Sequence, residues 1–413
     1  MSRRYNILLF ASIALLIVGC RQDTPKVETA KDSSPNLEAR ATLAKAKDLA
    51  NQPEAPNLDL VATTSGPMPT GIAVSRTGRI FVNFPRWGDP VEFTVAELKD
   101  GKLQPYPNLP YNKLNTDAPD KCLVSVQSIV TDDQDRLWLV DTGSINFQPV
   151  LSGGAKLICI DLSTNQITKT INFRDSRAVL PTTYLNDIRF APNQGKSGYG
   201  FITDSSQSGP NGIIVVDLDS GEAWRRLHDH PSTIADTNAN IVVEGERVMT
   251  RLPGKEPQPV KIGSDGIAIT PDGGTLFYRP LVSHHLYSVP VDILSNRSRG
   301  DDQVATAVKD LGDVGFASDG MDCDRQGRLY LTDYDHHAIR RREANGQINI
   351  LVQDPRLIWP DSIDAHGDAN YAYFTVNQLN RQKQFNNGKD LRQLPYAIFR
   401  TPMNATAQRV AQR

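Results

Sequence analysis

One short pattern recurs six times in 413 residues and leaves little choice of architecture. A polar residue is followed two places later by an apolar one, then by a tight turn and an apolar or aromatic strand. The first three copies run from Thr70-Gly71-Ile72 to Ile80-Phe81-Val82, from Gln127-Ser128-Ile129 to Leu137-Trp138-Leu139, and from Asn186-Asp187-Ile188 to Phe201-Ile202-Thr203. The last three run from Asp265-Gly266-Ile267 to Leu276-Phe277-Tyr278, from Asp319-Gly320-Met321 to Leu329-Tyr330-Leu331, and from Asp361-Ser362-Ile363 to Tyr371-Ala372-Tyr373. Turn residues such as Arg76-Thr77-Gly78, Pro271-Asp272-Gly273-Gly274 and Asp324-Arg325-Gln326-Gly327 separate the paired runs, so each copy reads as a hairpin. Six hairpins of this kind predict an all-β chain, a six-bladed β-propeller with a central channel.

Further strands complete the blades. Lys156–Leu162 and Gly212–Leu218 each end in Asp-Leu and a turn, with a fourth strand expected at Ile167–Ile171 and Glu222–Arg226. Pairing of Leu58-Asp59-Leu60-Val61 with Tyr396-Ala397-Ile398-Phe399 would close the ring and remove its open edge.

Equivalent positions of a propeller lie on a ring. Thr70, Gln127, Asn186, Asp265, Asp319 and Asp361 are therefore expected at one mouth of the channel, three carboxylates among neutral oxygen-bearing groups. Carboxylates held close together must take up a proton or share a cation. An all-oxygen set suits a hard cation, Ca²⁺ above all, with Asp265, Asp319 and Asn186 as its ligands. The same aspartates could instead cap turns by accepting backbone N–H bonds.

Two histidine pairs follow inner hairpins, His284-His285 and His336-His337. Histidine titrates near neutrality, and His336, beside Asp333-Tyr334-Asp335, is the candidate base, with Asp361 as the second catalytic candidate. In a strand adjacent residues point opposite ways, so one of each pair at most faces the channel; a solvated loop is the plainer reading of both. Gln127, Thr70, Asn186 and Asp187, with the aromatic Trp87, Phe147, Tyr334 and Trp359, are candidates for holding a polar or aromatic ligand, although propeller aromatics also pack between blades. No Gly-x-Ser-x-Gly elbow and no glycine-rich phosphate loop in a strand-to-helix setting occur, which argues against serine hydrolysis and a nucleotide cofactor.

The first 20 residues read as a lipoprotein signal peptide: Arg3-Arg4, an apolar run from Ile7 to Val18, then Gly19-Cys20. Ile17-Val18-Gly19-Cys20 resembles the bacterial lipobox, which implies lipidation of Cys20. Residues 21–57 read as a flexible tether with a short helix at Leu37–Ala50, residues 58–403 as the propeller and residues 404–413 as a loose tail. The expected location is the cell envelope, at the outer membrane or periplasm if the envelope is Gram-negative, with the lipid as the one membrane contact. A net charge of −2 gives no basic field for nucleic acid, and a monomer is expected. Cys159 lies in an apolar strand; Cys122 and Cys323 could form a bridge in an oxidising compartment.

Several segments resemble the Yellow and major royal jelly protein family. They are Gly78–Trp87, Leu137–Gly143, Tyr184–Ile188, Gly200–Ser205 and Gly212–Arg225. That resemblance implies a secreted six-bladed propeller, of the bacterial type related to dopachrome tautomerase, which suggests proton transfer on a cyclic catechol-like compound. A more distant likeness is to the gluconolactonase and regucalcin group. Asp319-Gly320-Met321-Asp322, followed by Gly327-Arg328-Leu329-Tyr330, resembles its Asp-Gly metal blade, and Asn186-Asp187 a substrate-side pair. It implies a Ca²⁺-dependent lactonase as the rival function, but Thr70 stands where that group has a metal-binding Glu. A non-catalytic ligand-binding or scaffold protein is the third reading.

Overall fold

The structure, a computed structural model, describes residues 55–405. The signal segment with Cys20, the tether helix and most of the C-terminal tail lie outside these residues. Six four-stranded antiparallel sheets follow one another along the chain, each with its first strand innermost. The inner strands are Gly71–Val74, Val126–Thr131, Leu185–Ala191, Ser264–Ile269, Ser318–Cys323 and Pro360–Asp364. Each lies against the next, and the sixth lies against the first, which makes the ring of a six-bladed propeller. Among the described residues no helix is long and apolar enough to cross a membrane.

The ring closes through strand Asp59–Thr64, which becomes the outer strand of the sixth blade by pairing antiparallel with Tyr396–Pro402. Asp59 stands opposite Arg400 and Thr64 opposite Tyr396. Apolar side chains from neighbouring sheets fill the space between blades. Trp138, Val140, Leu157 and Cys159 of the second blade pack on Ile188, Ile202 and Ile214 of the third, all nearly or fully buried. Alternation along each strand places this apolar set between the blades.

Two departures from a plain propeller matter for the channel. Between the third and fourth blades the chain forms two small hairpins, Val242–Val243 with Glu246–Arg247 and Met249–Thr250 with Gln258–Pro259. In the sixth blade the loop before Tyr396 carries two 3-10 turns, Leu379–Arg381 and Lys383–Phe385. Cys122, Cys159 and Cys323 are free and buried, so Cys122 and Cys323 are not bridged. Cys122 sits beside Asn115, while Cys323 ends the inner strand of the fifth blade, in a different part of the molecule.

Candidate channel-mouth site

Backbone irregularity builds the mouth. In the second to sixth blades the inner strand slips register at its start, between Val126 and Ser128, Leu185 and Ile188, Ser264 and Ile267, Ser318 and Met321, and Pro360 and Ile363. Such bulges free residues from the ladder and re-aim their side chains. The freed residues are the polar ones of the repeat. Glycine follows aspartate in two blades because the strands approach too closely for a side chain. A Cβ on Gly266 would lie 2.2 Å from the Asp319 carbonyl oxygen, and one on Gly320 would lie 2.5 Å from that of Asp361. Threonines tie the blades at the same level: Thr203 Oγ1 donates to the Asp265 carbonyl at 2.7 Å and Thr332 Oγ1 to that of Asp361 at 3.1 Å.

Gln127, Asn186, Asp265, Asp319 and Asp361 line one pocket, as expected. Each is at least nine-tenths buried. Burial pushes the Asp265 carboxyl well above the usual range, and its hydrogen-bonded neighbour Asp319 pushes it further. Asp319 is also raised by burial, to about 6, against the Trp359 indole N–H and the hydrogen bond from Asp265. Both carboxyls of the pair are therefore held above the usual carboxylate range, Asp265 the more strongly. Burial, then the charges of Asp319 and Asp265, raises Asp361 as well, opposed by the amide of Asn377. Ser205 Oγ donates to Asp265 Oδ2 at 3.1 Å, and Asn186 Nδ2 donates to that serine at 2.8 Å.

An aromatic wall stands over the acids. Trp87 stacks on Phe147 at 5.2 Å between centroids, and Phe147 leans on Tyr184 at 4.9 Å. The Trp87 indole donates to Tyr184 Oη at 2.6 Å, and Tyr184 in turn donates to Gln127 Oε1 at 3.0 Å. Leu379, Gln384 and Phe385 cover the remaining side and leave a cavity of about 40 Å³. That volume holds one or two waters. The covering loop is pinned to the inserted hairpins: Arg381 Nη2 lies 2.5 Å from Glu244 Oε1, and Arg251 N donates to the Gln384 carbonyl at 2.7 Å.

Other expected site residues fall elsewhere. Thr70 is buried, with its hydroxyl donating to the Gln127 carbonyl at 3.1 Å and accepting from Asn83 at 2.9 Å, so it is occupied within the blades. Tyr334 and Trp359 are stacked in the core 4.0 Å apart and nearly parallel, with Tyr334 Oη donating to the Leu281 carbonyl. Trp359 thus supports Asp319 from behind. Asp187 faces the opposite end of the channel beside Arg189. His336 is outside the mouth pocket: it is half-exposed and sits 2.9 Å from Asp333 Oδ1, and the hydrogen bonds to Asp333 and Asp335 raise its pKa to about 10. A permanently protonated imidazole is no base at neutral pH. Tyr184, Ser205, Asn377 and Phe385 were not singled out as site residues, although Tyr184 stands two places before Asn186 in a motif already quoted.

Calcium takes six to eight oxygens at about 2.3–2.6 Å, which requires its carboxylate donors to converge. Among the described residues the group of three carboxylate or imidazole ligands within 4.8 Å of one another is Asp333, Asp335 and His336, not the mouth aspartates. Asp265, Asp319 and Asp361 each accept a hydrogen bond, from Ser205, Trp359 and Asn377 respectively. Asp265, Asp319 and Asn186 nonetheless bring oxygen donors to one pocket, the donor type that a hard cation takes.

Four-stranded blades, a closed ring and a carboxyl-lined mouth under an aromatic wall define a six-bladed propeller built around its channel. The family model described as "Major royal jelly protein" matches residues 124–411, and the chain belongs to that family. Major royal jelly protein 3 of Apis mellifera is 29% identical over 214 residues, 51% of this chain and 36% of the relative. Dopaminechrome tautomerase of Drosophila melanogaster is 24% identical over 281 residues, 64% of this chain and 58% of the relative. The chain thus spans less than two thirds of the length of either. A solved structure titled a putative gluconolactonase superposes with a TM-score of 0.51 at 12% identity, covering 86% of this chain and 94% of that one. At that identity the likeness is one of fold.

Proposed function

We propose that the mouth binds a small cyclic, catechol-derived compound and catalyses its tautomerisation. The observation that carries this reading is the pair of buried carboxyls, Asp265 and Asp319, that line one pocket with Trp87, Phe147 and Tyr184. A 1,3-proton shift needs a base at carbon and an acid at oxygen, and pushing two carboxyl pKa values apart supplies both. The Asp319 carboxylate takes the C–H proton while Asp265 delivers its own to the substrate oxygen. The proton gained then crosses the hydrogen bond from Asp319 to Asp265 and restores the starting state, with no net oxidation. Gln127 and Asn186 would orient polar substituents, and the aromatic wall would stack on the ring. For a bicyclic substrate Leu379, Gln384 and Phe385 must swing away. The likeness to dopaminechrome tautomerase supports this chemistry.

A binding role without turnover is the second reading, favoured by the small volume of the closed pocket. The two are separated by following aminochrome isomerisation with the wild type and with Asp319→Asn. Loss of a general base costs about 10²–10⁴-fold. A drop of that size supports catalysis; wild-type protein that binds aminochrome without converting it, or a variant of full activity, overturns it. The proposal also places the propeller at the cell envelope as a monomer, held by a lipid on Cys20. Radiolabelled palmitate incorporated by the wild type and not by Cys20→Ser would support the anchor, and equal labelling would refute it.

A further inference from the structure

The two histidine pairs stand at one position of the repeat, the turn into the third strand of the fourth and fifth blades, His285–Pro290 and Ala338–Arg342. Neighbouring blades therefore bring them together. His284 Nε2 of the fourth blade lies 3.4 Å from Asp335 Oδ2 of the fifth. Asp335 Oδ1 in turn lies 3.2 Å from His336 Nδ1, which is 2.9 Å from Asp333 Oδ1. The donor atoms of Asp333, Asp335 and His336 all fall within 4.8 Å of one another. Asp333 pairs with Ser318, the residue before Asp319, so the cluster lies on the same face of the ring as the acid mouth but outside its pocket.

Two imidazole nitrogens and two carboxylate oxygens are donors that zinc takes, at about 2.0–2.2 Å. Tetrahedral bonds of that length put neighbouring donors about 3.3 Å apart. The three separations of 2.9, 3.2 and 3.4 Å bracket that value. His284 carries the observation that hydrogen bonding leaves unexplained: its Nε2 is buried and, although 3.4 Å from Asp335, makes no hydrogen bond. Its other nitrogen, Nδ1, faces Asp313 Oδ1 at 3.9 Å, the carboxylate–histidine pairing that orients metal ligands. The two aspartates are themselves held in place, as ligating carboxylates are. Asp333 Oδ2 accepts from Arg340 Nε at 2.6 Å and its Oδ1 from His336 N at 3.0 Å, while Asp335 Oδ1 accepts from Ala317 N at 3.1 Å. Asp335 Oδ2 is left facing His284. Asp313, Asp333 and Asp335 act together on the buried guanidinium of Arg279, and Arg340 pairs with Asp333. Two cations against three carboxylates leave one negative charge, met by a proton on His336 or by a metal ion in its place.

We propose that Asp333, Asp335, His336 and His284 form a zinc site that joins the fourth and fifth blades beside the mouth. Asp333, Asp335 and His336 supply its converged core, and His284, with a side chain 24% exposed, turns inward to close it as the fourth ligand. The ion takes the place of the proton between His336 Nδ1 and the two carboxylates, and that proton leaves to the buffer. The test is calorimetric titration of the chelator-stripped full chain with zinc chloride at neutral pH, in two buffers of different ionisation heat. About one equivalent is expected to bind, with a buffer-dependent heat that reports the released proton. His336→Gln and His284→Gln, which keep a hydrogen-bond donor for the carboxylates and so preserve the fold, are each expected to weaken binding about tenfold or more. Asp319→Asn is expected to leave it unchanged. No saturable binding by the wild type overturns the proposal, as do equal heats in the two buffers. So does unchanged affinity in either histidine variant, or binding lost through Asp319→Asn, which would place the ion at the acid mouth.

Discussion

Trp359 donates its indole N–H to Asp319 Oδ2 at 2.8 Å while its ring lies flat against Tyr334, 4.0 Å away and 9° from parallel. The stack fixes the indole, and the indole fixes the carboxylate. A donor to the charged form lowers a carboxyl pKa. Trp359→Phe keeps an aromatic ring and removes the donor, so the Asp319 pKa should rise above about 6 by on the order of 1 unit, equivalent to about 1.4 kcal/mol. Carboxyl ¹³C titration by NMR checks it; an unchanged or lowered midpoint would show that the indole does not tune the acid.

Asp319 and Asp364 are both pushed up to about 6, chiefly by burial. Between the unfolded carboxyl value near 4 and about 6 the native state holds protons that the unfolded chain has released, so stability falls as pH rises through that window. Each group accounts for at most about 3 kcal/mol. Urea denaturation across pH 4 to 7 should show a shallower decline in Asp319→Asn than in the wild type. A parallel pair of curves would mean that the carboxyl is already ionised at pH 4.

The Lys156 ammonium and the Asp141 carboxylate are completely buried 2.7 Å apart in the second blade. Lys156 also donates to the carbonyls of Pro119 and Gly154, and Asp141 accepts from the N–H groups of Val124 and Ser125. Removing one partner of such a pair costs about 3–5 kcal/mol because the other charge is left stranded. Lys156→Met should lose that much by chemical denaturation, and Lys156→Met/Asp141→Asn should recover part of it. A double variant less stable than the single would mean that the backbone bonds to the carboxylate outweigh the pairing.

Glu244 receives Arg381 at 2.5 Å and Asn380 at 2.9 Å across the cover of the mouth. Glu244→Ala should loosen residues 377–387, seen as faster amide hydrogen exchange there and an unchanged rate in the blades. Exchange that accelerates throughout would show a structural role for Glu244 and no latch.

Strand pairing was legible because it rests on periodicity and turn chemistry, both local. The hairpin from Asp265 to Tyr278 and the closure by Leu60 opposite Phe399 lie where alternation and turn residues put them. The bulges were not legible, since a register slip depends on how closely neighbouring strands approach. For that reason adjacent Asn186 and Asp187 were grouped together, while in the fold they serve opposite ends of the channel. His336 drew attention by its residue type, but its ion pair to Asp333 is set by the geometry of the fifth blade. The cover of the mouth comes from irregular segments, Glu244 and the turns at residues 379–385, which carry no period to read.

Asp59 faces Arg400 across a single strand pair, so the first and last strands of the ring meet about 5 Å apart. In a closed ring with such a join, the starting blade is a matter of genetic order and not of geometry. A circularly permuted chain, its old ends linked and new ones opened in the exposed turn around Asn345 and Gly346, would assemble the same channel with its seam moved to the fifth blade.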